Sequence, residues 1–510
     1  MLGHLCFNTP LNLIFNPRYV IIYANNQKEY FMILDQLKPQ KVFNFFEALS
    51  QIPRGSGNMS NIATFCENFA KERGLKFVRD AANNVVIYKD GTDGYQNSPT
   101  VILQGHLDMV CQKNDDCEID FENDGLNLYI DGDFIKAQGT TLGADNGIAV
   151  AMILAILDSN DISHPPIEAV FTTDEEVGMI GALALDKSIL KGNLMINLDS
   201  ETDNLVTVSC AGGSDFKATI PLECVKNFGN KITLSINGLQ GGHSGIEIDK
   251  HRVNADILAG RILNHLKNNV EFDIISVNGG DKANAIPNHF IAELCVENTD
   301  DFCKIANDYI AIIKSEISDR EKELNCTITV GDNGEYTVFN KDVKNKLLYT
   351  LLLAPNGVCE MSAAISGLVE TSLNLGILQT NEKEIVMHFA LRSNKQSSLT
   401  FLEEKLVAFF KNQDIPIETS GHYPPWEYRE NSPLRDLYCD IYLKNFKKPV
   451  HIMAIHAGLE CGVFAGEIKD FDCISIGPEM YDVHTTREKL SISSTEKLYN
   501  LLIEVLKKLK

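Results

Sequence analysis

Two adjacent acidic residues, Glu175 and Glu176, follow an apolar run that is typical of a buried strand. Asp174 precedes them, and three ionised carboxylates in a row repel one another unless a cation lies near. Other cation-binding side chains follow strand-like runs or open an apolar helix, namely His106, Asp145, Asp199 and His484. Open α/β sheets place their sites beyond the carboxyl ends of their strands. These residues therefore predict a metal centre with histidine and carboxylate ligands.

The length of 510 residues exceeds what one hydrophobic core usually holds, so we expect two domains. Strand-like runs alternate with helical stretches as far as residue 212, which predicts an α/β fold with a mostly parallel sheet. Residues 213–421 contain strands that alternate polar and apolar side chains, and they predict an inserted α+β domain. The chain then returns to α/β character. We therefore predict a catalytic domain in two parts, 32–212 and 422–510.

The charge and cysteine content exclude several classes of partner. Acidic residues outnumber basic ones 69 to 46, so nucleic acids and anionic membranes would be repelled. The 13 cysteines form no C-x-x-C pair, which favours free thiols and a cytoplasmic location over a disulfide framework. Asn and Pro interrupt the apolar runs within residues 1–31, so this segment is a poor signal peptide. It is either a genuine extension or a misassigned start upstream of Met32.

Eight motifs, in order along the chain, resemble those of the M20 metallopeptidases. Four of them contain the candidate ligands other than His484 and lie at residues 104–110, 139–147, 173–176 and 197–201. The other four resemble the aminoacyl-histidine (Xaa-His) dipeptidase branch, also called peptidase D, and lie at 210–213, 241–245, 284–287 and 456–462. The resemblance extends from about Leu34 to the C terminus.

The resemblance implies a centre of two divalent metal ions. One ion would be held by His106, Asp145 and Asp199, and the other by Asp145, Glu176 and His484, with Asp145 shared. Nitrogen and oxygen ligands favour Zn²⁺, and Co²⁺ or Mn²⁺ also fits.

Two further acids near the ligands have implied catalytic roles. Glu175 would be the general base that takes a proton from water and passes it to the leaving amine. Asp108 lies two residues after His106 and would hold the second ring nitrogen of that histidine. Without the other motifs, a surface turn or a chance His-x-Asp sequence would be the simpler interpretation.

The inserted domain supplies the implied substrate-binding residues His243, Asn284 and Arg392, and the final segment supplies Gly458. His243 would stabilise the oxyanion, and the guanidinium of Arg392 would bind the free carboxylate of a short peptide. The resemblance further implies that residues 213–421 form a lid and the contact of a homodimer. The chain departs from the commoner family pattern at 288–289 and 483–488, which leaves the ligands in place but bears on substrate preference.

These observations predict a metallo-dipeptidase, a hydrolase that cleaves short unblocked peptides and favours Xaa-His dipeptides. Two other M20 activities stay open: a broader di- or tripeptidase and a deacylase of N-acyl amino acids. A non-catalytic binding protein on the same scaffold is the alternative from another class. The retention of Glu175 beside a complete ligand set argues against it, because a binding protein needs no proton shuttle.

Overall fold

The structure, a computed structural model, describes residues 32–510 and the backbone of residues 12–16, 19–23 and 29–30. The expectations for residues 1–31 otherwise lie outside the described residues. The chain divides into two compact units. Unit 1 comprises the described residues up to Val208, together with Arg429–Met453 and Val463–Lys510, and unit 2 comprises Ser209–Tyr428 and Ala454–Gly462.

The regular elements of the described residues are numbered in chain order. The helices are α1 (Gln40–Ser50), α2 (Ser60–Glu72), α3 (Ala144–Leu157), α4 (Ile180–Ala184), α5 (Ala255–Lys267), α6 (Thr299–Ile317), α7 (Lys341–Leu353), α8 (Gln396–Lys411), α9 (Pro433–Phe446), α10 (Glu460–Ala465) and α11 (Ile492–Lys508). The strands are β1 (Asn12–Asn16), β2 (Tyr19–Tyr23), β3 (Glu29–Tyr30), β4 (Lys76–Arg79), β5 (Val85–Lys89), β6 (Val101–His106), β7 (Leu128–Asp131), β8 (Phe134–Ala137), β9 (Ile167–Thr172), β10 (Leu194–Asn197), β11 (Leu205–Cys210), β12 (Gly212–Pro221), β13 (Cys224–Asn237), β14 (Gly242–His243), β15 (Asp273–Gly279), β16 (Ala285–Ile286), β17 (Phe290–Val296), β18 (Asn325–Phe339), β19 (Gly357–Met361), β20 (Val369–Thr380), β21 (Glu384–Ser393), β22 (Ile417–Tyr423), β23 (His451–Ile455), β24 (Asp472–Ser475), β25 (Met480–Tyr481) and β26 (Lys489–Ser491).

Unit 1 is built on an eight-stranded sheet in the order β23-β11-β24-β10-β6-β9-β5-β4. The four neighbours β24, β10, β6 and β9 run parallel, and β11, β5 and β4 are added antiparallel. Every residue of β6 and β9 is buried, as expected for strands covered on both faces. Helix α3 is apolar almost throughout and is buried along nearly its whole length. The carboxyl ends of β6, β9 and β10 therefore lie at the same edge of the sheet.

Unit 2 is built on a nine-stranded sheet in the order β18-β13-β17-β15-β20-β21-β12-β22, with β19 paired to β20. Its described pairs are antiparallel. Helices α5, α6, α7 and α8 contribute apolar side chains to a core with one face of this sheet. The mixed α/β fold class predicted from the sequence is confirmed.

Two predicted helices of unit 2 have different ends in the structure. The sequence pattern of residues 251–267 predicts a helix, but α5 begins only at Ala255, because the side chain of Asn254 caps it by accepting hydrogen bonds from two backbone N–H groups. The sequence pattern of residues 302–324 also predicts a helix, whereas α6 covers Thr299–Ile317. Beyond it the chain turns, and the buried Glu321 carboxylate accepts hydrogen bonds from the N–H groups of Gln240 and Val253.

Two further observations concern the cysteines and the helices of residues 32–510. All cysteines between residues 32 and 510 are free thiols. In that same range the structure contains no helix that is both long enough and apolar enough to span a bilayer.

Candidate metal centre

The predicted ligands of unit 1 come together at the carboxyl edge of the parallel strands. His106 ends β6, Glu175 and Glu176 lie in the turn after β9, and Asp199 follows β10. Two ligands come from loops: Asp145 lies in the first turn of α3, and His484 lies between β25 and β26. All five predicted ligands are therefore neighbours in space.

The side chains form two overlapping groups that share Asp145. His106 Nε2 lies 3.1 Å from Asp145 Oδ1 and 3.4 Å from Asp199 Oδ1. His484 Nε2 lies 3.2 Å from Asp145 Oδ2 and 3.0 Å from Glu176 Oε2. Asp145 thus presents one carboxylate oxygen to each histidine, which is the arrangement that a bridging ligand requires. In each group the candidate ligand atoms lie within 4.8 Å of one another.

The orientation of His106 fits a cation at this position. Its Nδ1 lies 3.2 Å from the carbonyl oxygen of Asp108, an atom that can only accept a hydrogen bond. Nδ1 therefore carries a proton, and Nε2 is directed at the carboxylates of Asp145 and Asp199. In the neutral ring the lone pair of Nε2 would face carboxylate oxygens, which is unfavourable unless a cation lies between them. The donor set suits a divalent metal ion.

Asp108 is fully buried and connects two of the ligand-bearing segments. Its Oδ1 accepts a hydrogen bond from the N–H of Glu175 at 3.0 Å, and its Oδ2 accepts one from the N–H of Glu176 at 3.2 Å. Burial opposes ionisation of Asp108, but the hydrogen bond from His106 and the charge on that ring lower its pKa to about 2. Asp108 therefore holds both the histidine and the turn that carries the paired glutamates.

The charges at the centre shift one another's pKa values strongly. Hydrogen bonds to Asp145 and Glu176 raise the pKa of His484 to about 11. Burial works against protonation of His106, yet Asp199 and then Asp108 raise its pKa well above the usual range. In the protein alone, the positive charges of the two imidazolium groups compensate the negative charges of the carboxylates. A bound divalent cation would supply that positive charge instead.

A second cluster lies in unit 2 around His243, which belongs to the two-stranded pair β14 and β16. Its Nδ1 accepts hydrogen bonds from the N–H groups of Gly245 and Ile246, both at 3.1 Å. The proton of the neutral ring is therefore on Nε2. Burial, followed by the charge of Arg392, lowers the pKa of His243, so the ring stays neutral and can donate from Nε2.

Arg392 lies on β21 opposite Gly213 of β12. Its Nη1 donates a hydrogen bond to the hydroxyl of Tyr423 at 2.9 Å. A Cβ atom at Gly213 would lie 2.5 Å from that hydroxyl, so the absence of a side chain at Gly213 leaves room for Tyr423. The sequence did not single out Tyr423, because no motif contains it.

The loop of His456 packs next to the His243 loop. The carbonyl oxygen of His456 would lie 2.5 Å from a Cβ atom at Gly245. The His456 ring lies 2.7 Å from Ser372 Oγ and 3.0 Å from Asn394 Oδ1. Burial, and then the charge of Arg392, lowers its pKa to about 3, so this ring is neutral. His456 is therefore a buried histidine of this cluster to which the sequence analysis assigned no role.

The two remaining predicted substrate residues lie in the same part of unit 2. The carbonyl oxygen of Asn284 accepts a hydrogen bond from the N–H of Ser244 at 2.9 Å, while its side chain is exposed. Gly458 is two residues beyond His456 in the segment Ala454–Gly462. The predicted residues thus form two clusters, one in each unit.

The geometry and the sequence define the class of the chain. Residues 102–508 match peptidase family M20/M25/M40. The chain therefore belongs to this family of peptidases.

Particular members of the family are similar over nearly the whole chain. Over 480 residues the chain is 36% identical to the cytosol non-specific dipeptidase of Escherichia coli (strain K12), covering 93% of this chain and 99% of that protein. Its structure is similar to that of aminoacylhistidine dipeptidase from Vibrio alginolyticus, with a TM-score of 0.85, 35% identity and coverage of 93% and 98% of the two chains. Aminopeptidase PepT from Bacillus cereus ATCC 10987 shares the fold, with a TM-score of 0.54 at 15% identity over 93% of this chain and 99% of that chain.

Proposed function

We propose that this chain is a metal-dependent dipeptidase that hydrolyses short unblocked peptides, Xaa-His dipeptides among them. The observation that carries the proposal is the pair of ligand groups sharing Asp145, with Glu175 beside them. Support also comes from two relatives that are more than 30% identical over 93% of this chain, both of which are dipeptidases by name.

In this proposal His106, Asp145 and Asp199 hold one divalent ion, and Asp145, Glu176 and His484 hold the other. Zn²⁺ suits this mixture of imidazole and carboxylate ligands, and Co²⁺ or Mn²⁺ could replace it. When bound, such ions lower the pKa of a water molecule and polarise a carbonyl group. The residues of the chain then have to orient the peptide and move protons.

Glu175 is the proposed general base. A carboxylate oxygen of Glu175 lies within 4.8 Å of atoms of the candidate ligands His106 and Glu176, which supports this role. The hydrogen bond from its N–H to Asp108 fixes the start of its side chain. Glu175 takes a proton from the attacking water and delivers it to the nitrogen of the leaving amine as the C–N bond breaks. It ends the cycle ionised, ready for the next proton.

His243 and Arg392 are the proposed substrate contacts of unit 2. The Nε2–H of His243 donates to the oxygen of the scissile carbonyl and gains strength as negative charge develops there. Arg392 binds the free carboxylate of the peptide, and Asn284 and the backbone at Gly458 complete that pocket. A carboxylate requirement would restrict the enzyme to the C-terminal bond of short peptides.

The decisive test is turnover by protein reconstituted separately with Zn²⁺, Co²⁺ and Mn²⁺. Ala-His and Gly-Gly test for a dipeptidase, Ala-Ala-His for a tripeptidase, and N-acetyl amino acids for a deacylase. We expect hydrolysis of the dipeptides, fastest for Ala-His, and none after chelation of the metal. A protein that cleaves only acetylated amino acids, or that binds metal and cleaves nothing, would refute the proposal.

A homodimer formed through residues 213–421 and a location in the cytoplasm are also proposed. Unit 2 exposes apolar side chains on its long strands, such as Phe228 on β13 and Val330 on β18, which a partner copy could cover. The relative from Escherichia coli is cytosolic by name. Sedimentation analysis of the wild-type protein and of Phe228→Ser would test the dimer, since a monomeric wild type contradicts it.

A further inference from the structure

The segment of residues 54–57, which joins α1 to α2, contacts three of the loops that carry the candidate ligands. It lies before the stretch that matches the family, which begins at residue 102. Its contacts are hydrogen bonds from Arg54, Ser56 and Gly57. The segment itself contributes no candidate ligand to the three groups found among the described residues.

Arg54 is 2% exposed and donates only to backbone carbonyl oxygens. Its Nη1 lies 3.0 Å from the carbonyl oxygen of Leu107 and 3.1 Å from that of Asp108. Its Nη2 donates to the carbonyl oxygen of Gly143, two residues before Asp145. One planar guanidinium therefore joins the segment that follows His106 to the turn that begins α3. Lysine has its three donors on one nitrogen and therefore lacks the forked geometry with which the two guanidinium nitrogens reach the two segments.

The two glycines near Arg54 make room for it. A Cβ atom at Gly143 would lie 2.5 Å from Arg54 Nη2, and one at Gly147 would lie 2.6 Å from the same atom. Gly143 also has a φ of 64°, which disfavours other residues. The motif at 139–147 therefore needs glycine at these two positions to leave room for the side chain of Arg54, which is distant in sequence.

Glu488 holds the same turn through its backbone N–H groups, whereas Arg54 holds it through a carbonyl oxygen. The two oxygens of its buried carboxylate accept hydrogen bonds from the N–H groups of Leu142, Gly143 and Ala144 at 2.7, 3.0 and 2.8 Å. Glu488 lies four residues after His484. Gly143 is thus held through its carbonyl group by Arg54 and through its amide group by Glu488.

The other two contacts of the segment reach the acidic side of the centre. Ser56 Oγ donates to Asp108 Oδ2 at 2.8 Å. The N–H of Gly57 donates to Asp174 Oδ1 at 2.6 Å, immediately before the paired glutamates. The segment is therefore connected to the loops of His106, Asp145 and Glu176.

We propose that Arg54 is a positioning residue that fixes the relative places of His106 and Asp145, with Ser56 fixing Asp108. This inference rests on the proposed role of those residues as metal ligands. Ligands held at fixed separation bind a metal without first having to be ordered, so loss of the guanidinium lowers metal affinity before it affects proton transfer. Supporting contacts around metal ligands typically change affinity by about 10- to 100-fold.

The test compares Arg54→Lys with Arg435→Lys. Both arginines are buried in unit 1 and donate to two or more backbone carbonyls, and Arg435 bonds those of Arg429 and Glu430, which carry no candidate ligand. Both substitutions keep the positive charge. Zn²⁺ affinity is measured by competition with a fluorescent chelator, and thermal unfolding is measured on the same metal-free samples.

We expect Arg54→Lys to weaken Zn²⁺ binding by about 10- to 100-fold, and excess metal to restore most of the dipeptidase rate. Arg435→Lys should lower thermal stability while leaving metal affinity unchanged. Equal metal affinity in wild type and Arg54→Lys would overturn the inference, as would an equal loss in Arg435→Lys. If wild type itself binds no metal, the proposed function fails instead.

Ser56→Ala provides a milder variant should Arg54→Lys fail to fold. It removes one of the hydrogen bonds to the Asp108 carboxylate and leaves those from Glu175 and Glu176. We expect metal affinity to fall by about 3- to 10-fold, as for loss of one hydrogen bond. An unchanged affinity in a folded Ser56→Ala protein would remove Ser56 from the proposal.

Discussion

The two clusters of predicted residues are built on opposite principles. In unit 1, carboxylates are crowded around two histidines whose pKa values are raised, so both rings carry charge in the protein alone. In unit 2, the histidines His243 and His456 have lowered pKa values and stay neutral beside Arg392. The first arrangement suits a cation, and the second suits a carbonyl oxygen and a carboxylate. The same residue type therefore has different chemistry in the two units because its neighbours differ.

The two clusters also differ in what fixes their side chains. The candidate ligands of unit 1 lie at strand ends, in loops or in the first turn of α3, and buried side chains such as Arg54, Asp108 and Glu488 bond to backbone groups of these segments. In unit 2, Arg392 is fixed by the register of β21 against β12, and His243 by hydrogen bonds within its own loop. Substitutions should therefore separate the clusters by their effect on metal content.

Glu176→Ala should have the largest effect. It removes a ligand from the group of Asp145 and His484, so both metal and activity should be lost. The fall in rate should exceed the ~10²–10⁴-fold that loss of a general base causes. Elemental analysis and Ala-His hydrolysis on the same sample provide the measurement. A variant that keeps its full metal content would show that Glu176 is no ligand.

Glu175→Ala is the matched control for Glu176→Ala, because it makes the same substitution at the adjacent residue. It should lower kcat by ~10²–10⁴-fold while the metal content stays near that of wild type. The reason is that Glu175 moves a proton without holding the ion. Activity above about one hundredth of wild type would contradict the base role, and loss of metal would make Glu175 a ligand instead.

His243→Ala tests the neutral cluster. It should lower kcat by about 10²–10³-fold, as loss of one oxyanion donor does, with metal content intact. His422→Ala in the same unit, an exposed histidine paired with Glu403, should have no such effect. Equal rates for wild type and His243→Ala would remove the histidine from the mechanism.

The proposed dimer adds a second experiment with His243→Ala, mixed with inactive Glu175→Ala. If the histidine acts on the substrate of the partner subunit, mixed dimers regain activity. If it acts within its own chain through closure of a lid, they do not, provided that subunit exchange is demonstrated. A monomeric protein would require the second geometry.

C-terminal amidation of Ala-His should have a smaller effect through Arg392. It removes the charge that the guanidinium would bind, at about 1.5–3 kcal/mol for a hydrogen bond to a charged group, or roughly ten- to a hundredfold in kcat/KM. Tyr423→Phe removes the hydroxyl that accepts a hydrogen bond from Arg392. It should therefore lower kcat/KM for the free peptide and reduce the ratio of kcat/KM between the free and the amidated peptide. Equal cleavage of both peptides by wild type would contradict the carboxylate contact.

The sequence predicted a set of candidate ligands that the structure brings together, but not the side chains that hold their loops. His106, Asp145, Glu176, Asp199 and His484 are detectable because ligand chemistry restricts the residue type at each position. Arg54 has no such signature, because it bonds to carbonyl oxygens that every residue provides, and its partners lie about 50 and 90 positions away in the chain. Tyr423 depends likewise on strand register. Fold class follows from periodicity, whereas helix ends depend on local caps such as Asn254 and on the turn that buries Glu321.

A buried acid in unit 2, Asp256, has the smallest predicted effect, which is on stability rather than on activity. Asp256, near the start of α5, is fully buried, and neither of its carboxylate oxygens has a hydrogen-bond partner in the described structure. Burial raises its pKa well above the usual range. The buried acids Asp108 and Glu488 of unit 1 accept hydrogen bonds from backbone N–H groups, whereas the burial of Asp256 favours its protonated form.

The sign of the resulting pH dependence follows from proton binding. The folded chain keeps the Asp256 proton above the unfolded pKa of about 3.9, so stability falls as pH rises from there toward the folded pKa. The slope for one group is at most about 1.4 kcal/mol per pH unit. The side chain introduced by Asp256→Asn does not titrate. The free energy of unfolding of wild type should therefore fall, relative to that of Asp256→Asn, as the pH rises from 5 to 8. Urea unfolding across that range measures the difference, with Asp332→Asn at an exposed position of unit 2 as the matched control substitution. Parallel pH profiles for wild type and Asp256→Asn would mean that Asp256 does not carry a raised pKa.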